Sequence, residues 1–172
     1  MIEHLLLLVV LISVSSILFW TLKLGIGPVP SSAKVRKTVA RYLPDNMEGS
    51  IFELGCGWGH LLSILEKKYP ENPLIAFEQS PVPRWFARFT NKAIIKPDDF
   101  FTADLSQAGL IVCYLFPGAM ERISKEIVPA LKQDCWILTH TFALPDYQPE
   151  QCWQSDDLYG TSVYLYKINF HD

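Results

Sequence analysis

The sequence lacks the short patterns that most often identify a chemistry at first reading. Its four cysteines form no C-x-x-C pair, so we expect no zinc site, no other metal site and no disulfide framework. We interpret them as buried free thiols in a reducing compartment: Cys56, Cys113, Cys135 and Cys152. Neither sign of charge is in large excess, because the formal net charge of the 172 residues is -3, and no nucleic-acid partner is expected.

Formal charges are also missing from Leu5 to Leu22, near the N-terminus. A helix over this stretch would be about 27 Å long, close to the thickness of the hydrocarbon core of a bilayer. Before the stretch, the only titratable side chains are Glu3 and His4, whereas several basic residues follow it: Lys23, Lys34, Arg36, Lys37 and Arg41. By the positive-inside rule, we expect residues 5–22 to cross a membrane once, with the following domain in the cytoplasm.

Two other interpretations of this stretch have less support. A cleaved signal peptide needs a basic leading region and a small-residue cleavage site, but Glu3 occupies that region and no such site follows Lys23. A buried core helix rarely runs this far without a charge. No Arg-rich amphipathic leader is present, so we expect a bacterial plasma membrane rather than a mitochondrial import route.

The rest of the chain divides into a short connecting region and one domain. We expect an anchor at residues 1–24, a linker with a leading helix at residues 25–46, and a domain at residues 47–172. The linker GIGPVPSS is stiffened by Pro28 and Pro30, and Ser31 or Ser32 can cap the leading helix, which ends at Pro44-Asp45-Asn46.

Within residues 47–172, short apolar runs alternate with amphipathic helices. The helical patterns begin near Trp58, at Pro81 after Ser80, and near Met120, with Pro129 bending the last of them. The expected strands are Ser50 to Leu54, Leu74 to Phe77, Ala93 to Lys96, Leu110 to Phe116, Cys135 to Phe142 and Thr161 to Ile168. This alternation predicts an α/β fold with a parallel sheet flanked by helices.

A glycine-rich turn in FELGCGWGH follows the first expected strand. Gly55, Gly57 and Gly59 stand at alternate positions, where the carboxyl end of a parallel strand would face a ligand. No Lys-Ser or Lys-Thr follows the turn, which excludes a phosphate-binding P-loop. The dinucleotide fingerprint G-x-G-x-x-G would need glycine at position 60, where the chain has His60.

The turn, preceded by an acidic residue, instead resembles the first motif of class I S-adenosylmethionine-dependent methyltransferases. Glu78, at the end of the second strand, stands where a carboxylate can accept both ribose hydroxyls of such a ligand. Further segments are similar to a small membrane-anchored group that includes the lysine methyltransferases of the ATP synthase c-subunit and the adenine nucleotide translocase. These segments are GPVPSS, FEQSPVPRWFARF, LIVCYLFPGAMERI and TFALPDYQP, in the same order from about Pro28 to Lys167.

The resemblance implies roles for particular residues. It places the cofactor, S-adenosylmethionine, against Glu53, Gly55, Cys56, Gly57, Gly59, Glu78, Gln79, Asp99 and Phe100. Glu53 would lie near the methionine end and Asp99 near the adenine end. Tyr114, Phe116 and Pro117 would line an aromatic channel that delivers an uncharged lysine to the methyl group, or they would be ordinary core. Other titratable residues are interpreted as structural: His140 as a core or edge residue, and Arg84, Arg88, Lys67 and Lys68 as solvated helix faces.

Three functions are consistent with these residues. The first is a membrane-anchored methyltransferase that acts on a lysine of a membrane-associated protein. The second keeps the cofactor but methylates a lipid or quinone. The third is a non-catalytic adenosylmethionine-binding module, suggested by Trp58 and His60, where the family commonly has an acidic residue and an arginine.

Overall fold

The structure, a computed structural model, describes residues 2–25, 27, 29–45 and 47–169. Pro28 of the expected linker and Asn46 of the expected helix end lie outside these residues. The described elements follow in the order α1 (Ile2–Leu24), α2 (Ala33–Tyr42), β1 (Ser50–Leu54), α3 (Leu62–Lys68), β2 (Leu74–Phe77), α4 (Pro81–Thr90), β3 (Ile94–Lys96), β4 (Ala108–Cys113), α5 (Pro117–Arg122), β5 (Trp136–His140), β6 (Gln151–Gln154) and β7 (Ser162–Lys167).

The strands form one sheet in the order β3-β2-β1-β4-β5-β7-β6. β3, β2, β1, β4 and β5 pair in parallel, whereas β7 is antiparallel to both β5 and β6. This confirms the expected α/β sheet flanked by helices, which is Rossmann-like, although β7 pairs antiparallel with β5 and β6, where a parallel sheet was expected. β6 was not among the expected strands, because its side chains are largely exposed and leave no apolar pattern to read.

Apolar layers cover both faces of the central strands. One layer packs α5 against β1 and β4, and it includes Leu54, Ile111 and Met120. The other packs α2 and α3 against the opposite face, with Val39 and Leu65 beside Leu110. All six residues of β4 are buried, which explains why the strand is an unbroken apolar run.

The first helix of the domain begins later than its sequence pattern suggests. We expected it to start near Trp58, but α3 starts at Leu62, and residues 57–61 form turns. Gly57 and Gly59 have φ angles of 53° and 79°, which lie outside the right-handed helical region. The apolar residues from Trp58 onward therefore belong partly to the turn and partly to α3. α3 has only seven residues and begins after the glycine turn.

Two central strands are shorter than expected. β4 ends at Cys113 rather than Phe116, and Phe116 is the N-cap of α5, with Pro117 at the first helical position. A residue before proline is held in extended backbone, which separates the strand from the helix. β5 ends at His140 rather than Phe142, because Thr141 has a φ of 70° that turns the chain out of the sheet.

The third expected helix is divided into three pieces. α5 continues as a π-helical segment, Ile123–Ile127, and then a 3-10 turn, Val128–Ala130, that contains Pro129. Proline lacks a backbone N–H and clashes with the preceding turn, so regular α-helical bonding cannot continue through it. We expected a bend at Pro129, and the helix changes to a 3-10 turn at that residue.

Several surface interpretations need correction. Arg84 and Arg88 are not merely solvated: Arg84 donates to the carbonyl oxygens of Glu78 and Gln79, and Arg88 donates to that of Ile95. Both arginines thus fix α4 to neighbouring backbone. Lys68 forms an ion pair with Asp45. Cys152 is exposed, while the other three thiols are buried as expected.

Candidate cofactor and active site

A cavity of about 380 Å³ lies at the carboxyl ends of β1, β2 and β4. The sheet order reverses between β1 and β4, which is where open α/β sheets bind ligands. The end of α1 and the linker form part of the cavity wall through Lys23, Leu24, Gly27, Val29, Pro30 and Ser31. The linker is therefore part of the site and not a passive spacer.

The glycines of the turn have different surroundings. Gly57 lines the cavity, and a Cβ atom added there would meet no heavy atom within 4 Å. Gly59 does not line the cavity; a Cβ there would lie 3.1 Å from Ala87 Cβ and would also meet the Asn91 side-chain amide. Gly57 thus leaves open space for a ligand, whereas Gly59 lets α4 approach the turn. Gly55 and Cys56 also line the cavity.

Glu53, at the end of β1, is a buried carboxylate on the cavity wall. It is only 4% exposed, and among the described residues its Oε2 atom has no hydrogen-bond partner. Burial, together with the nearby Glu78 carboxylate, raises the pKa of Glu53 well above its ordinary value. A buried, unsatisfied carboxylate is costly to the fold and is suited to a positively charged ligand group.

Glu78 holds two loops together at the base of the cavity. Its Oε2 accepts a hydrogen bond of 2.8 Å from Gly57 N, and its Oε1 accepts one of 2.7 Å from Ser80 N. Arg84 fixes the same loop through the Glu78 and Gln79 carbonyls. A carboxylate has about four acceptor positions, so each oxygen of Glu78 can still accept a hydroxyl.

The far wall comes from the segment after β3. Asp99 caps a 3-10 turn, Phe100–Thr102, and its Oδ1 accepts from Phe101 N at 3.1 Å. Phe100 and Phe101 line the cavity, and the Arg122 guanidinium lies 3.6 Å from the centre of the Phe101 ring. These aromatic faces offer a flat apolar surface beside a carboxylate, which suits a heterocyclic base.

Two further aromatic side chains line the cavity, and we call this part of its wall the aromatic end. Tyr114 and Phe116 both line it, whereas Pro117 begins α5 and does not. A Cβ atom added to Gly25 would lie 3.7 Å from the Phe116 ring, so the linker passes close over this ring. The chain that leads to α1 partly covers this part of the wall, and Lys23 near the end of α1 also lines the cavity.

His140 contacts Tyr114 of the aromatic end. Its ring stacks on Tyr114 with centroids 4.2 Å apart, its Nε2 lies 2.9 Å from Ser31 Oγ, and its Nδ1 lies 3.0 Å from Thr141 Oγ1. Burial lowers the pKa of His140 to about 4, although Asp157 opposes that shift. His140 is therefore a neutral residue that connects β5, Tyr114 and the linker, and it is more than an ordinary core histidine.

We expect His140 to make the fold sensitive to acid. Its pKa is about 4 when folded and 6.5 for an unperturbed side chain, so the unfolded chain binds the proton more tightly between these values. The free energy of unfolding should fall by up to about 3 kcal/mol as the pH falls from 6.5 to 4, with no further loss below pH 4 from this group. Unfolding measured across this range should show a smaller loss for His140→Gln; equal losses in both proteins would contradict the assignment.

The buried thiols offer no nucleophile at the site. Burial is the main cause that raises the pKa of Cys56, which lines the cavity, and it raises the pKa of Cys113 to about 12. Such thiols stay protonated and unreactive. Across the described part of the chain, no group of three or more His, Cys, Asp or Glu residues could hold a metal ion.

The cavity contains most of the residues expected from the sequence and several that were not. Glu53, Gly55, Cys56, Gly57, Glu78, Gln79, Asp99, Phe100, Tyr114 and Phe116 line it; Gly59 and Pro117 do not. The linker residues, Asp98, Phe101 and Arg122 were missed. The GPVPSS segment was the available signal for Ser31, but nothing in the sequence placed it beside His140.

Comparison with known proteins gives one family match, to the model of the ANTKMT methyltransferase domain, over residues 53–151. A protein-lysine N-methyltransferase of Saccharolobus islandicus (strain REY15A) is 22% identical over 151 residues, covering 83% of this chain and 94% of the relative.

Solved structures share the fold. An RNA methyltransferase from Salinibacter ruber in complex with S-adenosyl-L-homocysteine superposes with a TM-score of 0.71 at 20% identity, covering 84% of this chain and 96% of that one. A precorrin-6y C5,15-methyltransferase from Geobacter metallireducens GS-15 gives a TM-score of 0.59 at 17% identity, over 79% of this chain and 88% of that one.

Proposed function

The chain belongs to the family of the ANTKMT methyltransferase domain and is therefore an S-adenosylmethionine-dependent methyltransferase, and from this premise we propose that it is anchored in a membrane and methylates a lysine of a membrane-associated protein. The observation that carries the proposal is the make-up of the cavity wall. Carboxylates and the aromatic side chains of Tyr114 and Phe116 line one cavity, and the chain segment that leads to α1 forms part of its wall and passes close to the Phe116 ring.

The residues present fit the cofactor. Glu53 Oε2, which is buried and has no partner among the described residues, would accept a hydrogen bond from the amino group of the methionine part. Glu78 would accept the ribose hydroxyls, and the open space beside Gly57 would let the ligand approach the backbone. Asp99, Phe100 and Gln79 would hold the adenine end. When bound, S-adenosylmethionine supplies a methyl group activated by its positively charged sulfur.

The aromatic end would prepare the acceptor. A lysine amine can take a methyl group only when it is uncharged, and its ordinary pKa is about 10.4. Tyr114 and Phe116 would exclude water from the amine and so lower its pKa by desolvation. His140 carries no charge at neutral pH, so it does not repel an arriving ammonium group. Much of the rate would come from holding the nitrogen in line with the bond that breaks.

Methyl transfer at this end needs no covalent participation by the protein. The new N–C bond forms as the C–S bond breaks, and the methylated nitrogen then releases a proton to solvent. The faces of Tyr114 and Phe116 can also attract a methylated ammonium group by cation–π interaction. Pro117 contributes indirectly in this account, since it starts α5 and thereby holds Phe116 extended.

The membrane anchor is the second part of the proposal. α1 is long and apolar enough to cross a membrane, and none of its residues is buried against the domain. The Lys23 ammonium lies 4.5 Å from the centre of the Trp20 ring, a pairing suited to the interface at the end of a membrane helix. We propose the anchor at residues 1–24 with the domain on the cytoplasmic side, and we assign Gly27, Val29, Pro30 and Ser31 of the linker to the wall of the active site.

Relatedness favours lysine as the acceptor. The protein-lysine N-methyltransferase of Saccharolobus islandicus matches along 94% of its length, so the shared region includes almost all of that enzyme. Anchoring would confine this chain and a membrane-associated substrate to the same surface and raise their effective concentration.

Transfer of a radiolabelled methyl group tests the acceptor. The full chain in detergent is incubated with labelled S-adenosylmethionine, at a concentration well below saturation, and membranes from source cells that lack the gene; Glu53→Gln, with its weakened cofactor binding, is the matched control and should transfer less label. We expect label in protein, recovered as methyl-lysine after acid hydrolysis. Label in the organic extract would instead identify a lipid or quinone acceptor, and label in neither fraction would reject both.

A further inference from the structure

α4 presents an aromatic face to the outside of the domain. Trp85 is 70% exposed and Phe89 is 82% exposed, and their rings stack with centroids 6.1 Å apart. Phe86, on the same side, is also exposed. Pro83 and Ala87 pack inward, so the aromatic residues are not needed to hold α4 on the sheet. We call Trp85, Phe86 and Phe89 the aromatic face.

The aromatic face belongs to the helix that contacts α1. In the second half of α1, the half-buried residues are Ser13, Ser16, Ile17, Trp20, Thr21 and Leu24, which follow one another at intervals of three or four positions or stand next to each other. Such spacing marks one side of a helix. This side of α1 therefore faces α4. The aromatic face of α4 lies beside the apolar surface of α1.

Charge around the aromatic face also favours a membrane. Between Pro81 and Lys92 the chain has three basic residues, Arg84, Arg88 and Lys92, and no acidic residue, although the whole chain carries a net charge of -3. Basic residues beside exposed tryptophan and phenylalanine are typical of helices that lie in the headgroup layer of anionic bilayers.

We propose that the aromatic face of α4 is inserted in the interfacial layer of the bilayer that α1 crosses. This inference rests on the proposed membrane anchor and extends it, because it gives the catalytic domain one orientation on the membrane. The contact with α1 and the local positive charge identify lipid as the occupant of this face.

With α4 docked in this way, the cavity would lie next to the membrane surface. The Phe86 ring meets the Trp58 ring edge to face, with centroids 5.7 Å apart, and Trp58 lines the cavity. The aromatic end of the cavity is also bounded by the linker from α1. The acceptor lysine would therefore have to lie close to the membrane surface.

Fluorescence quenching by lipids can test this orientation. A Cys152→Ser background removes the exposed thiol and leaves three buried ones. A single cysteine is then introduced and labelled with an environment-sensitive fluorophore, as Val10→Cys in α1, Phe89→Cys in α4, or Gln133→Cys at the opposite end of the sheet. The full chain is reconstituted in vesicles of phosphatidylcholine and phosphatidylglycerol, with and without spin-labelled lipid.

We expect spin-labelled lipid to quench the labels at positions 10 and 89 but not the label at position 133. Quenching at position 10 alone would overturn the docking of α4 and leave the anchor intact. No quenching at position 10 would overturn the anchor and the docking together. If emission at position 89 depends on the protein-to-lipid ratio and not on spin-labelled lipid, a second copy of the chain covers the face, and the proposal is wrong.

Discussion

Replacement of Gly59 by alanine is expected to destabilise the domain strongly, whereas the same change at Gly57 should leave it folded but weaken its binding of the cofactor. An alanine Cβ at position 59 would lie 3.1 Å from Ala87 Cβ and 3.3 Å from Ala87 Cα, at a φ of 79°. Steric overlap and backbone strain together are expected to cost about 3 kcal/mol. At position 57 only the strain of a positive φ remains, about 1–2 kcal/mol.

Thermal unfolding and calorimetric titration of the two variants separate these effects. We expect the Tm of Gly59→Ala to be several degrees below that of Gly57→Ala. We expect Gly57→Ala to bind S-adenosylhomocysteine at least about tenfold more weakly than the wild type, because its methyl group fills ligand space. Equal stability of the two variants, or normal binding by Gly57→Ala, would show that the two glycines have been assigned the wrong roles.

Glu53→Gln is expected to weaken cofactor binding and to stabilise the fold. A hydrogen bond to a charged group contributes about 1.5–3 kcal/mol, so affinity for S-adenosylhomocysteine should fall roughly 10- to 100-fold. Glutamine has nearly the same shape but carries no charge that burial and Glu78 would disfavour. Because burial and the Glu78 charge raise the pKa of Glu53, we expect Glu53→Gln to be more stable than the wild type at neutral pH.

The pH dependence of this gain gives an independent check. The raised pKa of Glu53 means that its protonated form suits the folded state, so its contribution is fully present below the ordinary carboxyl pKa and is lost as the pH rises. The stability advantage of Glu53→Gln should therefore be greatest at high pH, shrink as the pH falls toward the ordinary carboxyl pKa of 4.5, and be absent below it. An unchanged affinity, or a less stable variant at neutral pH, would contradict the role proposed for Glu53.

Residues that end neighbouring parallel strands were the most predictable part of the site. Glu53 and Glu78 each follow a short apolar run, and the parallel pairing of β1 with β2 brings the two carboxylates to the same edge. Gly57 could be placed there for the same reason. Such residues are close because of sheet topology, which the alternation of strands and helices already predicts.

Contacts between distant segments could not be predicted. Ser31 and His140 are 109 positions apart, and their hydrogen bond depends on how the linker folds back over the sheet. Gly59 shares a motif with Gly57, so spacing alone could not show that it packs against α4. Arg84 has the helical position of a solvated residue, but its guanidinium reaches the carbonyls of the loop before its own helix.

Calorimetric titration of the full chain in detergent micelles with S-adenosylhomocysteine and with NAD tests most directly whether the cavity at Glu53, Gly57 and Glu78 holds the adenosyl cofactor. We predict binding of the adenosyl ligand and not of NAD, and roughly 10- to 100-fold weaker binding by Glu78→Ala, which loses the carboxylate that would accept the ribose hydroxyls. A folded chain that binds no S-adenosylhomocysteine, or a Glu78→Ala variant with full affinity, would contradict the account.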